Sequence, residues 1–157
     1  TQGVSSAASD VYKRQLSQPT RYDLIMLDAF DQEYIPEHML TREFLTEIRG
    51  LLTEQGVLAA NTFSSSRLYN YESVTYQTVF GDFYNLKDAN RVILIRRNSL
   101  PEITEIKRNA DALSSKLKPF GVISDWLLPK FSRNKDWPAN TRVLTDQYSP
   151  ANLLNTN

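Results

Sequence analysis

The apolar run Leu24-Ile25-Met26-Leu27, stopped at Asp28, constrains the fold more than any other feature of the chain. Four large apolar residues in a row do not alternate, so the run predicts a strand buried on both faces of a parallel sheet. After a polar loop containing Pro36, Thr41-Arg42-Glu43 offers a helix start, and Phe44, Leu45, Ile48, Leu51 and Leu52 share one helical face. Gly56 stands where a glycine closing that helix is expected. Val57-Leu58-Ala59-Ala60-Asn61-Thr62-Phe63 then reads as a second strand. Strand, helix and strand within about forty residues make a βαβ unit, hence an α/β fold with a parallel sheet.

Further along, Ser64-Ser65-Ser66 opens a second helical stretch, with Tyr69, Tyr76, Val79 and Phe80 at helical spacing and Gly81 at its end. Phe83 to Leu86 and Arg91 to Ile95 flank the turn-prone Lys87-Asp88-Ala89-Asn90, which predicts an antiparallel pair at the sheet edge. Ser99 and Glu102 have capping-box spacing around Pro101. Ile103, Ile106, Ala110, Leu113 and Leu117 follow in steps of three and four, which predicts a helix. Beyond Pro119 the pattern loosens into an irregular cover with Trp126 and Trp137.

Composition removes several function classes. A length of 157 residues suits one domain. With 18 basic and 18 acidic side chains the formal charge is zero, so nothing favours nucleic acid or an anionic membrane as partner. The absence of cysteine excludes disulfides, a thiolate nucleophile and Cys-ligated zinc. His38 is the single histidine, which excludes a multi-histidine metal site, and no metal is expected. No apolar run is long enough to cross a bilayer and no signal peptide is visible, so a cytoplasmic location is expected. Residues Ser5 to Gln15 match a forward translation of the transposase adapter used in DNA library preparation. Residues 1–15 are therefore set aside as a non-native or disordered leader, and natural sequence is expected to start near Leu16, with the 5′ side of the gene lost.

The chemistry concentrates in Leu27-Asp28-Ala29-Phe30-Asp31. Ligands of open α/β sheets bind at the carboxyl ends of strands, where Asp28 would lie. Two carboxylates three residues apart can hold an ammonium group, and can also take the proton an amine must lose before it attacks. From spacing alone the plainer reading stands ahead: Asp28 closes a loop and Asp31 faces solvent. A lone loop histidine such as His38 reads as structural. Asp146 could close the site or simply anchor the tail. Tyr69, Tyr71 and Tyr76 suggest a base-stacking face, but their helical spacing points to burial.

Tyr22 to Phe30, Ile35-Pro36-Glu37-His38-Met39-Leu40-Thr41-Arg42-Glu43-Phe44-Leu45, Gly56-Val57-Leu58 with Asn61, and Val143-Leu144-Thr145-Asp146-Gln147-Tyr148 together resemble the spermidine synthase family. The resemblance spans Arg21 to Leu154 and makes residues 16–157 the C-terminal portion of an aminopropyltransferase-like domain. It implies a Rossmann-like, S-adenosylmethionine-dependent methyltransferase fold with its N-terminal strands missing. It also implies aminopropyl transfer from decarboxylated S-adenosylmethionine, a co-substrate rather than a bound cofactor, to a putrescine-like diamine. In that resemblance Asp28 matches the acid that deprotonates the amine, and Asp31 the acid that orients the diamine. A homodimer is one assembly open to such a chain. The family usually reads aspartate, two small hydroxyl residues, aspartate, proline in this loop, whereas Ala29, Phe30 and Gln32 stand here. That variant resembles the broader bacterial spermidine synthase-like group. The glycine-rich loop and the acid of the preceding strands, which hold the donor, are absent, so the chain alone is expected to be inactive. An S-adenosylmethionine-dependent methyltransferase and an inactive binding module are the rival readings.

Overall fold

A computed structural model of the chain describes residues 20–28, 36–62, 67–88 and 90–154. The leader at 1–15 and the loop that holds Ala29, Phe30, Asp31 and Gln32 lie outside the described residues, as do Phe63 to Ser66. Strand β1 (Tyr22–Leu27) is followed by a 3-10 turn at Glu37–Leu40, helix α1 (Arg42–Leu51) and strand β2 (Leu52–Thr62). Then come α2 (Leu68–Phe80), β3 (Tyr84–Lys87), β4 (Arg91–Arg96) and α3 (Ile103–Leu117). The remainder is short pieces, α4 (Ser124–Leu127), β5 (Phe131–Ser132) and α5 (Ala151–Leu154), joined by turns.

The strands form one sheet in the order β1-β2-β4-β3-β5. β1 and β2 run parallel, as a strand–helix–strand unit requires, with Leu27 opposite Ala60. The rest of the sheet corrects the expectation of a parallel sheet: β4 is antiparallel to β2, and β3 is antiparallel to β4. The β3–β4 hairpin is antiparallel as its turn residues predict, but β4 inserts inside the sheet rather than lying at its edge. Insertion suits β4, because Arg91, Ile93 and Ile95 are buried on one face while Val92 and Leu94 are half-buried on the other.

α1 and α2 cover one face of the sheet. Phe44, Leu45, Ile48 and Leu51 of α1 meet Leu58 and Ala60 of β2, Ile93 and Ile95 of β4, and Val74 and Tyr76 of α2 in one apolar cluster. Phe83 stacks on Trp137 with ring centres 5.4 Å apart, which draws the late segment into the same core. α3 contributes no fully buried residue. Among the described residues no helix is long and apolar enough to cross a membrane.

Three local expectations need correction. Among the described residues β1 is the edge strand and is not covered on both faces, with Leu24 55% and Met26 69% exposed. Gly56 does not cap α1. It lies within β2 where a Cβ would come 2.9 Å from both the Thr53 nitrogen and the Tyr22 carbonyl oxygen, so close backbone approach is its reason. Ser99 and Glu102 form no capping box; Glu102 is the N-cap residue of α3 and its side chain makes no capping bond. Gly81, by contrast, ends α2 with φ of 80°, a conformation only glycine adopts freely.

Candidate active site at the carboxyl edge of β1 and β2

Pairing of Leu27 with Ala60 sets the next residue of each strand, Asp28 and Asn61, side by side where the apolar runs end. The Asn61 amide donates from Nδ2 to Asp28 Oδ1 at 2.9 Å. Asp28 is exposed, so its carboxylate faces solvent at the edge where open α/β sheets receive ligands. A neutral amide orients the carboxylate without pairing its charge, which leaves that charge available to an ammonium group. Asp31, the second expected acid, lies outside the described residues.

The tail is fastened next to this edge. Thr41 caps α1 by accepting from Phe44 N at 3.3 Å, and its hydroxyl donates to Asp146 Oδ1 at 2.7 Å. Asp146 N donates to Glu43 Oε2 at 3.1 Å, and Arg42 N donates to the Leu144 carbonyl at 2.9 Å. Ser149 Oγ donates to the Glu37 carbonyl at 2.7 Å. Beneath these bonds Leu40, Leu68, Leu144 and Ala151 make a second small apolar cluster. Asp146 therefore anchors the tail to the start of α1. An open groove lined by Glu37, His38, Asp146, Tyr148 and Asn152 remains between the 3-10 turn and the tail.

Tyr69 and Tyr76 are buried, as their helical spacing predicts, and neither offers a stacking face. The Tyr69 hydroxyl donates to Asp136 Oδ1 at 2.6 Å, and Lys87 reaches Asp136 Oδ2 at 2.5 Å. Lys130, which reads as ordinary surface charge, pairs with Asp88 at 2.8 Å and lies 3.3 Å from the centre of the Trp126 ring. No group of three or more metal-ligating side chains occurs among the described residues.

Sequence reasoning singles out Asn61 as part of a strand pattern and misses its bond to Asp28. The signal was available: Asp28 and Asn61 each close an apolar run, and parallel pairing brings such ends together. It also misses Glu72 and Arg91, two titratable residues buried between α2 and β4. Burial pushes the Glu72 carboxyl up to about 8, against the opposing pull of the Arg91 guanidinium.

No family model matches the chain. A curated polyamine aminopropyltransferase of Vibrio vulnificus is 50% identical over 156 residues, which cover 96% of this chain and 52% of that protein. The chain thus spans about half the length of the curated relative it matches. A probable spermidine synthase from Corynebacterium glutamicum superimposes with a TM-score of 0.50 at 20% identity, over 61% of this chain and 40% of that one. Human methyltransferase-like protein 13, solved in complex with SAH, gives a TM-score of 0.55 at 20% identity over 89% of this chain and 63% of its own. At such identities the two structures speak for the fold, and they agree on it: an α/β, Rossmann-like methyltransferase fold, represented here in part. In sequence, along nearly its whole length, the chain is similar to a polyamine aminopropyltransferase.

Proposed function

We propose that the chain carries the amine-activating part of a spermidine synthase-like aminopropyltransferase, with Asp28 as its acid–base residue. The observation that carries this reading is the Asp28 carboxylate itself. It is exposed at the carboxyl end of a parallel strand and oriented by the Asn61 amide at 2.9 Å. Similarity to the Vibrio vulnificus polyamine aminopropyltransferase supports the same class of reaction.

The acceptor diamine arrives as an ammonium ion, whose nitrogen has no lone pair to attack with. Asp28 takes one proton and releases the lone pair. The amine nitrogen then bonds to the aminopropyl carbon next to the sulfonium of decarboxylated S-adenosylmethionine, and that carbon–sulfur bond breaks. Its electron pair stays on sulfur, so neutral methylthioadenosine leaves and the product is a secondary ammonium ion. Asp31 holds the diamine in line. Asp28 returns its proton to solvent. A cytoplasmic location belongs to the same proposal.

The test is aminopropyl transfer to a panel of diamines, with methyl transfer from intact S-adenosylmethionine run in parallel. Both are measured on the chain and on a form extended to the length of its Vibrio vulnificus relative. Aminopropyl transfer is expected from the extended form. Asp28→Asn should lower its turnover roughly a hundredfold or more, the scale of lost general-base help. Methyl transfer alone, or full turnover in Asp28→Asn, would overturn the reading.

A further inference from the structure

The apolar residues of β4 leave its register open. Ile93 and Ile95 are buried on one face while Val92 and Leu94 are half-buried on the other, and all four side chains are branched and of similar size. A slip of two residues along β2 would keep every apolar side chain on its own face. Arg91 breaks this degeneracy. It is fully buried on the face of Ile93 and Ile95, and its Nε donates to the buried Asn85 Oδ1 at 2.8 Å. Its guanidinium carbon lies 4.2 Å from the centre of the Tyr69 ring. The buried Glu72 carboxyl is its acidic counterpart on α2. Neither the terminal nitrogens of Arg91 nor the carboxyl oxygens of Glu72 have a hydrogen-bond partner among the described residues, so the Arg91 charge rests on Asn85 and on the face of the Tyr69 ring.

The register matters because of where β2 ends. Against β1 the pairing stops at Leu27 with Ala60. Against β4 it continues through Asn61 with Val92 and Thr62 with Arg91. The Thr62 hydroxyl also donates to the Arg91 carbonyl at 3.5 Å. Beyond Ala60, then, β4 holds the backbone that carries the Asn61 amide. A slip of β4 along β2, with its hairpin partner β3, would take the guanidinium off the Tyr69 ring of α2 and leave a buried charge without it.

We propose that Arg91, bonded to Asn85 of β3 and seated on the Tyr69 ring of α2, is the register lock of β4 and thereby a positioning residue for the Asp28–Asn61 pair. The second half rests on the function proposed above. Apolar replacement of buried ionisable side chains can preserve stability while removing such specificity. The double variant Arg91→Leu/Glu72→Leu is the test, read by cross-strand nuclear Overhauser contacts. The expected result is an unchanged unfolding midpoint with two sets of signals for residues 59–62 and 91–95. One set keeps the contact of Ala60 with Ile93, and the other shows Ala60 against position 91. Aminopropyl turnover of the extended form should fall roughly a hundredfold with KM for the amine little changed, as misplacement of a reacting group does. A single register with only the Ala60–Ile93 contact overturns the lock, whatever the protein catalyses. Two registers with unchanged transfer keep the lock and overturn its link to the site. If the double variant does not fold, Tyr69→Leu, which removes the α2 ring against the guanidinium, is read by the same contacts and judged by the same outcomes.

Discussion

Asn61 and Asp28, on adjacent parallel strands, are joined by a 2.9 Å hydrogen bond one residue beyond the last pair of β1 and β2. The bond crosses from one apolar run to the other at the point where both turn polar. It gives the exposed carboxylate a fixed orientation.

Asn61→Leu keeps the size of the side chain and removes the donor. Turnover of the extended form in aminopropyl transfer should fall about tenfold or more, through loss of orientation. Stability should change by less than about 1 kcal/mol, because the bond lies at an exposed edge. Steady-state kinetics and urea unfolding separate the two effects. Full turnover in this variant would show that Asp28 needs no such support.

Thr41 serves two partners at once, as cap of α1 and as donor to Asp146. Thr41→Ala should cost about 2 kcal/mol, one part for the lost cap and one for the unanswered acceptor. Asp146→Asn retains an oxygen that can accept and should cost less. Urea midpoints for the two variants check the order, and a smaller loss in Thr41→Ala would contradict it.

Glu72 should make stability fall with rising pH. Its ordinary value is 4.5 and burial raises it to about 8, so the folded state holds the proton more tightly than the unfolded one. That contribution is fully present below about pH 4.5 and is lost as pH rises through about 8, by on the order of a few kcal/mol. Glu72→Gln stays neutral throughout. The difference in unfolding free energy between variant and parent, measured from pH 5 to pH 9, should grow with pH in favour of the variant. A flat difference would show that the carboxylate is already charged in the folded chain.

Two glycines give opposite outcomes from one substitution. Gly56→Ala brings a methyl group within 2.9 Å of two backbone atoms, which cannot move aside, and should destabilise by about 1–3 kcal/mol. Gly50 sits exposed in α1, and a Cβ added there would meet nothing within 4 Å, so Gly50→Ala should stabilise by about 1 kcal/mol. Thermal unfolding of both variants checks the pair.

The βαβ unit was legible in the sequence because local signals agree on it: an unbroken apolar run, a Thr41 cap, an apolar helix face and a second run, although Leu52, read as part of that face, begins β2 instead. The burial of Tyr69 and Tyr76 was legible for the same reason, since helical spacing alone predicts which face turns inward. The antiparallel β3–β4 hairpin could be read from its turn residues, but its place in the sheet could not. Strand order depends on which partner covers each face, and nothing in Arg91 to Arg96 states that β2 is the neighbour.

By itself, then, the sequence determined the α/β class, the start of α1 at Thr41, the end of α2 at Gly81 and the position of Asp28 at the end of a strand, all of which follow from periodicity and local chemistry. Only the tertiary structure decided that Asn61 orients Asp28, that Gly56 is needed for backbone approach and that Arg91 and Glu72 share an interior. Those are contacts between residues 33, 34 and 19 positions apart in the chain, and the pairing register that creates them is a property of the packed sheet, not of any one segment.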